Sequence, residues 1–340
     1  MTRLAELTTL RVGGPAGEVV VVGTEADLVD AVRGCDASGV PLLVLGGGSN
    51  VLVGDGGFDG VVLRALVPGV SIIEERDHVI ATAWCGESWD GVVELAVGEG
   101  WAGIEALSGI PGLVGATPIQ NVGAYGQEVA DVIANVRVLD RDEGMIRDLS
   151  PAECTFGYRD SRFKHEPSRF IVLAVSYRLT RDTWSIVRYA QLADALGIDV
   201  GGTASTQAVR DAVLALRRSK GMVLDPQDPD TASAGSFFTN PVLSPADATA
   251  LPPQCPRYPA SQGVKVSAAW LIEQSGIGRG WQLRPSSGAR VSTKHTLALS
   301  NAGDATAADV LELARAIRDR VEERFGIRLE AEPTLVNCAW

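Results

Sequence analysis

The sequence predicts an α+β chain in which two α/β subdomains precede a C-terminal α+β domain. Three observations predict it. β-branched runs alternate with capped helical stretches over the first 180 residues, a glycine-rich loop lies directly between two apolar runs at 41–53, and the Asp/Pro-rich "LDPQDPDTASAG" (224–235) marks a change of pattern.

Taken in order, "GEVVVVG" (17–23) reads as a strand, and "TEADLVDAVRGC" (24–35) as a helix with Thr24 at its N-cap and Asp27 three residues on. The strand-loop-strand "PLLVLGGGSNVLV" (41–53) and "FDGVVLR" (58–64) complete a compact α/β unit. "VSIIEERDHVIATAWC" (70–85) reads as a hairpin, "SWDGVVELAVGEG" (88–100) as a capped helix, and "VIANVRVLD", "GMIRDLS" and "FIVLAVSYRLT" as successive strands. Beyond the boundary the clearest element is "ATAADVLELARAIRDRVEERFG" (305–326). Thr306 caps it with Asp309 at N3, Val310, Leu313, Ala314, Ile317, Val321 and Phe325 form a core stripe, and Gly326 closes it.

The totals exclude several classes. A net charge of −12 opposes a broad nucleic-acid surface, and no apolar run approaches the ~18 residues a membrane helix needs. The N-terminal residues lack a signal-peptide apolar region, so a cytoplasmic protein is expected. Five scattered cysteines without a C-x-x-C pair suit reduced thiols, and three histidines make a metal centre unexpected, so none is assigned. Basic residues gather locally at Arg159, Arg162 and Lys164 and at Arg217, Arg218 and Lys220, as either an anion site or a solvated face.

A dinucleotide fold of the Rossmann type needs its glycines to open a helix, whereas Gly46, Gly47, Gly48, Ser49 and Asn50 lead into a strand. Successive backbone amides turned inward make an anion nest without a helix, and Ser49 and Asn50 add side-chain donors. A structural strand connection is the alternative. A second loop, "GIPGLVGATPIQNVGAYG", carries five glycines and two prolines between Gly109 and Gly126 in apolar surroundings, and a bound ligand is expected to satisfy its backbone.

Six segments in order, "LTTLRVGG", "LGGGSNVLV", "SGIPGLVGATPIQNVGAYGQEV", "TFGYRDSRFK", "AGSFFTNP" and "STKHTLALSNAGDATAADV", resemble the UDP-N-acetylenolpyruvoylglucosamine reductase (MurB) family over nearly the whole chain. The resemblance implies an FAD-binding fold of the vanillyl-alcohol-oxidase/PCMH type, two α/β subdomains (1–66 and 67–222), with a C-terminal α+β substrate domain (225–340) whose last strand, about 329–340, returns to the active site. It implies non-covalent FAD held by Gly46, Gly47, Gly48, Ser49 and Asn50 at the pyrophosphate. Gly109, Ile110, Gly115, Ala116, Ile119, Gln120, Asn121, Gly123, Ala124 and Tyr125 would line the rest. NADPH would reduce the flavin, and UDP-N-acetylglucosamine enolpyruvate would be reduced to UDP-N-acetylmuramate by a monomer with no nucleic-acid or membrane partner.

The same resemblance places a proton donor at Ser236, a carboxylate-binding arginine at Arg159 and an acidic residue at Glu332. Residue chemistry alone leaves Ser236 as a turn serine, Arg159 as a salt-bridge partner of Asp160, and Glu330 as a rival two residues from Glu332 that shares its face if the segment is extended. Tyr189 matches a mobile substrate-loop tyrosine, with core packing as its alternative, and Lys220 and Asn240 match contacts to the UDP diphosphate and sugar. The stretch 281–292 is longer and more irregular than the family's turn.

Overall fold

A computed structural model describes residues 2–260 and 262–340, in two compact units. One comprises Gly17–Gly47 and Asp59–Ser219; the other comprises Met1–Ala16, Gly48–Phe58 and Lys220–Trp340.

In the first unit a three-stranded sheet orders Ala16–Val22, Phe58–Ala65 and Leu42–Leu45, the last two parallel. The helix Glu25–Ser38 covers it. Thr24 accepts from the Asp27 amide at its start, and Gly39 at φ 67 ends it. A five-stranded antiparallel sheet then runs Met145–Leu149, Ile133–Asp140, Phe170–Thr180, His78–Trp84, Val70–Glu74, which contains the expected hairpin and all three successive strands. Its two faces follow the period of two. Ile171 and Leu173 join a core with Val22, Leu28 and Val32, whereas Val172 joins one with Trp89, Val93 and Tyr177. Ser88 caps the helix Trp89–Gly98 by accepting from the Gly91 amide.

The second unit is built on the helix Ala307–Phe325. Thr306 and Asp309 form a capping box, Gly326 at φ 67 terminates the helix, and the predicted stripe from Val310 to Val321 lies in the core. Two three-stranded sheets pack there, one of Ser233–Ser236, Ala298–Asn301 and Ala289–Val291, the other of Val242–Leu243, Gly263–Val266 and Arg257–Ala260. Val51–Val53 does not join the sheet of its sequence neighbours: it pairs in parallel with Thr334–Val336, and Leu52 is buried in this unit's core. The first 65 residues therefore do not close on themselves as one α/β unit. Among the described residues no helix is long and apolar enough to cross a membrane. All five cysteines are free, and burial pushes the Cys85 thiol up to about 11.

Candidate active site

The candidate residues fall into two groups, one in each unit. In the first unit Gly46 and Gly47 end the strand Leu42–Leu45 and meet the second glycine loop. A Cβ added to Gly47 would stand 2.9 Å from the Gly112 Cα, and one on Gly46 would stand 3.7 Å from Leu113. Only glycine fits at 47 because backbone, not a flexible side chain, faces it.

That second loop is pinned at several points. The Gly109 amide donates to Asp90 Oδ1 at 2.6 Å, and the Val114 and Gly115 amides donate to the carbonyls of Glu87 and Cys85 at 2.9 and 3.0 Å. Thr117 Oγ1 bonds the hydroxyl of the fully buried Tyr177 at 2.8 Å. The expectation that a ligand must satisfy this loop is thus corrected: the protein supplies many of its partners. Asp90 is itself held by Arg210, whose Nη1 donates at 2.7 Å. Burial pushes the Asp90 carboxyl up, but Arg210 and the Gly109 amide hold it below the usual carboxylate range.

Further along, Ile110 packs at the core edge, Gln120 is half-buried, and Ala116 and Ile119 are exposed. Asn121 is buried at φ 47. Its Nδ2 donates to Glu128 Oε2 and the Gly157 carbonyl at 2.7 and 3.0 Å, and its Oδ1 accepts from the Ala130 amide at 3.0 Å. Asn121 is therefore a clamp inside the loop. Gly123–Ala124 pairs with Gln127–Glu128, and Tyr125 and Gly126 turn between them at φ 48 and 87, as a two-residue I′ hairpin requires. Tyr125 meets Tyr189 edge to face, with ring centroids 5.6 Å apart.

Arg159, at φ 53, donates to the carbonyls of Gly123 at 2.5 Å and Asn121 at 3.3 Å, so the loop and the arginine are held together. Asp160 pairs with His165 at 2.8 Å. The basic cluster expected nearby divides: Arg162 pairs with Glu166 at 2.6 Å, and Lys164 Nζ donates to the Arg159 carbonyl at 3.0 Å. Arg217 is buried, whereas Arg218 is exposed and is the part of the pair that fits a solvated face. Tyr189 starts the helix Ala190–Leu196 and is half-buried against Val187, Leu192 and Val209.

In the second unit Gly48 takes φ 63, where an added Cβ would lie 2.1 Å from the Leu7 carbonyl oxygen. Thr9, which the sequence reading did not single out, donates its amide to the Gly48 carbonyl at 3.0 Å and its hydroxyl to the Ser233 carbonyl at 2.7 Å. Asn50 Nδ2 donates to the Glu332 carbonyl at 3.4 Å, and the Thr334 amide returns to the Asn50 carbonyl at 3.0 Å. Ser49 is half-buried beside it.

The strand of Ser236 completes this group. Ser233 and Ser236 face Ser300 and Ala298, which leaves one extra residue, and Gly235 turns through φ 73 before the serine. Such a bulge re-aims the following side chain. The Ser236 hydroxyl is half-buried and makes no side-chain hydrogen bond among the described residues. Beyond it Phe238 bridges Ala331: the Glu332 amide donates to the Phe237 carbonyl at 2.8 Å, and the Thr239 amide to that of Glu330 at 3.1 Å. Around the bridge at Ala331, Glu332 is half-buried and Glu330 exposed. Asn240 Oδ1 accepts from the Ala268 amide at 2.9 Å, and Lys220 follows the helix Thr206–Ser219.

The first glycine loop fits an anion such as a pyrophosphate, because the amides of Gly47 and Gly48 find no protein acceptor among the described residues. Residues 16–150 match the FAD binding domain family. The chain is thus a flavoprotein of the FAD-binding α+β class.

Residues 226–336 match the family described as UDP-N-acetylenolpyruvoylglucosamine reductase, C-terminal domain. A UDP-N-acetylenolpyruvoylglucosamine reductase of Nocardia farcinica is 56% identical across 98% of this chain and 88% of its own length, and one of Cutibacterium acnes is 50% identical across 98% and 89%. The crystal structure of UDP-N-acetylenolpyruvylglucosamine reductase (MurB) from Thermus caldophilus superposes with a TM-score of 0.66 at 27% identity, covering 98% of this chain and 97% of that one. The chain belongs to the UDP-N-acetylenolpyruvoylglucosamine reductase family.

Proposed function

We propose that this chain reduces the enolpyruvyl group of UDP-N-acetylglucosamine enolpyruvate with NADPH, giving UDP-N-acetylmuramate for peptidoglycan precursor synthesis. The observation that carries the reading is the hydrogen-bonded pairing of the segment after Ser236 with the Glu332 segment, in a chain that a reductase relative matches over 98% of its residues. The chemistry FAD supplies when bound is relay of a hydride from NADPH to the enolpyruvyl double bond.

The chain's own residues handle the proton and the charge. Ser236 delivers a proton to the substrate carbon α to the carboxylate, which becomes carbanion-like when the β-carbon is reduced. A hydroxyl is a weak acid, so its aim decides its usefulness, and the Gly235 bulge sets that aim. Arg159 offers the planar fork that suits a carboxylate. Its anchoring on two loop carbonyls holds the fork in place. Glu332, the more buried of the two glutamates, is the acidic partner. Tyr189, Lys220 and Asn240 hold the nucleotide, and Asn240 keeps its amide nitrogen for that task while its oxygen receives the Ala268 amide.

We allot residues 1–66 and 67–222 to the flavin and 225–340 to the substrate as stretches of function, not as the compact units, since Met1–Ala16 and Gly48–Phe58 belong to the unit of Lys220–Trp340, in a cytoplasmic monomer that binds neither nucleic acid nor membrane. Turnover in deuterated water tests the reaction: product should carry one solvent deuteron at the carbon α to the carboxylate. NADPH consumption that depends on oxygen and leaves the enolpyruvyl group intact would contradict it.

A further inference from the structure

Glu105 has no part in that chemistry, yet its side chain is 0% exposed. A buried carboxylate is costly unless hydrogen-bonded, so its partners carry meaning. It accepts the Gly103 amide at 2.7 Å, the side-chain amide of Gln127 and the hydroxyl of Ser185. Gln127 Oε1 closes the ring by accepting the Ala106 amide at 2.8 Å. Three segments therefore meet on one buried charge: the turn Glu105–Leu107, the strand Gln127–Glu128 that ends the flavin loop, and the strand Trp184–Ile186.

The last of these opens the hairpin that bears Tyr189. Ser185 stands opposite Ala204 in the antiparallel pair with Thr203–Ser205, and the Val187 amide donates to the Gly202 carbonyl at 2.9 Å. Two residues later Tyr189 begins its helix, with Leu192 and Ala193 donating to its carbonyl at 3.0 Å. The hairpin also rests on the flavin loop. A Cβ on Gly126 would stand only 3.2 Å from Arg188 Cβ, and Tyr125 meets Tyr189 edge to face.

We propose that Glu105 is a positioning residue for nucleotide binding: by holding Ser185 and Gln127 on one carboxylate it fixes the Tyr189 hairpin to the end of the flavin loop and sets UDP affinity without touching the ligand. The inference rests on the assignment of Tyr189 to the nucleotide.

Ser185→Ala tests it with the smallest change, because altering Glu105 itself risks the fold. The holoenzyme is titrated with UDP and followed by calorimetry, alongside melting temperature, FAD content and the rate of flavin bleaching by NADPH. Mutations along such networks shift coupling enough for an expected rise in the UDP Kd of about 2- to 30-fold. The substrate KM should rise in parallel while FAD content and the NADPH step hold, and Ser185→Thr, which keeps the hydroxyl, should restore affinity. Wild-type UDP affinity in Ser185→Ala with only a lower melting temperature overturns the inference and leaves Glu105 a structural acid. Tyr189→Ala separates the two failures. If it binds UDP as tightly as wild type, the nucleotide assignment falls and the inference with it; if it loses UDP while Ser185→Ala does not, the inference alone falls.

Discussion

Replacing Gly47 by alanine should weaken FAD binding through a single misplaced methyl group. The new Cβ would stand 2.9 Å from the Gly112 Cα and 3.5 Å from its carbonyl carbon. Backbone cannot swing aside as a side chain does, so the two glycine loops must part, and the amides of Gly47 and Gly48 move with them. Forcing an extra methyl into such a contact costs roughly 1–3 kcal/mol, which corresponds to about 5- to 150-fold in affinity if it is drawn from binding. The assay is titration of apoprotein with FAD, read by quenching of flavin fluorescence, with thermal melts of apo and loaded protein beside it. Gly34→Ala is the control: it lies in the helix Glu25–Ser38 with nothing within 4 Å of its added Cβ. There alanine should stabilise the fold by about 0.8–1 kcal/mol and leave FAD affinity unchanged. Wild-type FAD affinity and melting in Gly47→Ala would mean that the loops do not approach as closely as the structure places them.

Ser236→Ala should leave flavin reduction by NADPH nearly intact and slow reoxidation by the enolpyruvyl substrate by about 10²-fold or more; stopped-flow traces in which both halves slow equally, or neither does, would remove its role. Glu332→Gln should lower turnover more than Glu330→Gln, since Glu332 is half-buried beside the Ser236 strand and Glu330 is exposed; the reverse ranking in kcat would transfer the role to Glu330. His295 gives a pH prediction. Burial, with the charges of Lys220 and Arg279, pushes its imidazole from 6.5 down to about 4. The unfolded chain therefore takes up a proton that the fold refuses, so the contribution is full above about pH 6.5 and is lost as pH falls towards 4. It amounts to on the order of 3 kcal/mol. Melts of His295→Gln across that range should show a shallower acid slope than wild type, and equal slopes would contradict the assignment.

Local signals made much of this fold legible. The cap at Thr306, the stripe from Val310 and the stop at Gly326 are all encoded within 22 residues, and the helix lies where they put it. The same holds for the hairpin of Val70–Glu74 and His78–Trp84, whose partners are neighbours in sequence. The partner of Val51–Val53 was not legible. Periodicity marks a strand but names no mate, and this mate, Thr334–Val336, lies some 280 residues away.

Within the site the glycine loops could be read from composition, whereas the polar clamps could not. Thr9, Asp90 and Arg210 look like ordinary surface residues in sequence, and only the fold joins them to Gly48 and Gly109. In sequence Arg162 fits either an anion site or a solvated face, and in the fold its i,i+4 acid, Glu166, takes it. Glu105 did leave a trace: it is an acid inside the apolar "GIEALSG", a setting that requires buried partners.

The central claim is that this chain carries reducing equivalents on FAD from NADPH to an enolpyruvyl sugar nucleotide. One anaerobic cuvette tests it most directly: the visible spectrum of the purified protein is followed through addition of NADPH and then of UDP-N-acetylglucosamine enolpyruvate. The protein should be yellow, bleach with NADPH and regain its colour with that substrate. A protein that regains colour only when air is admitted, or one that takes up no FAD at all, would contradict it.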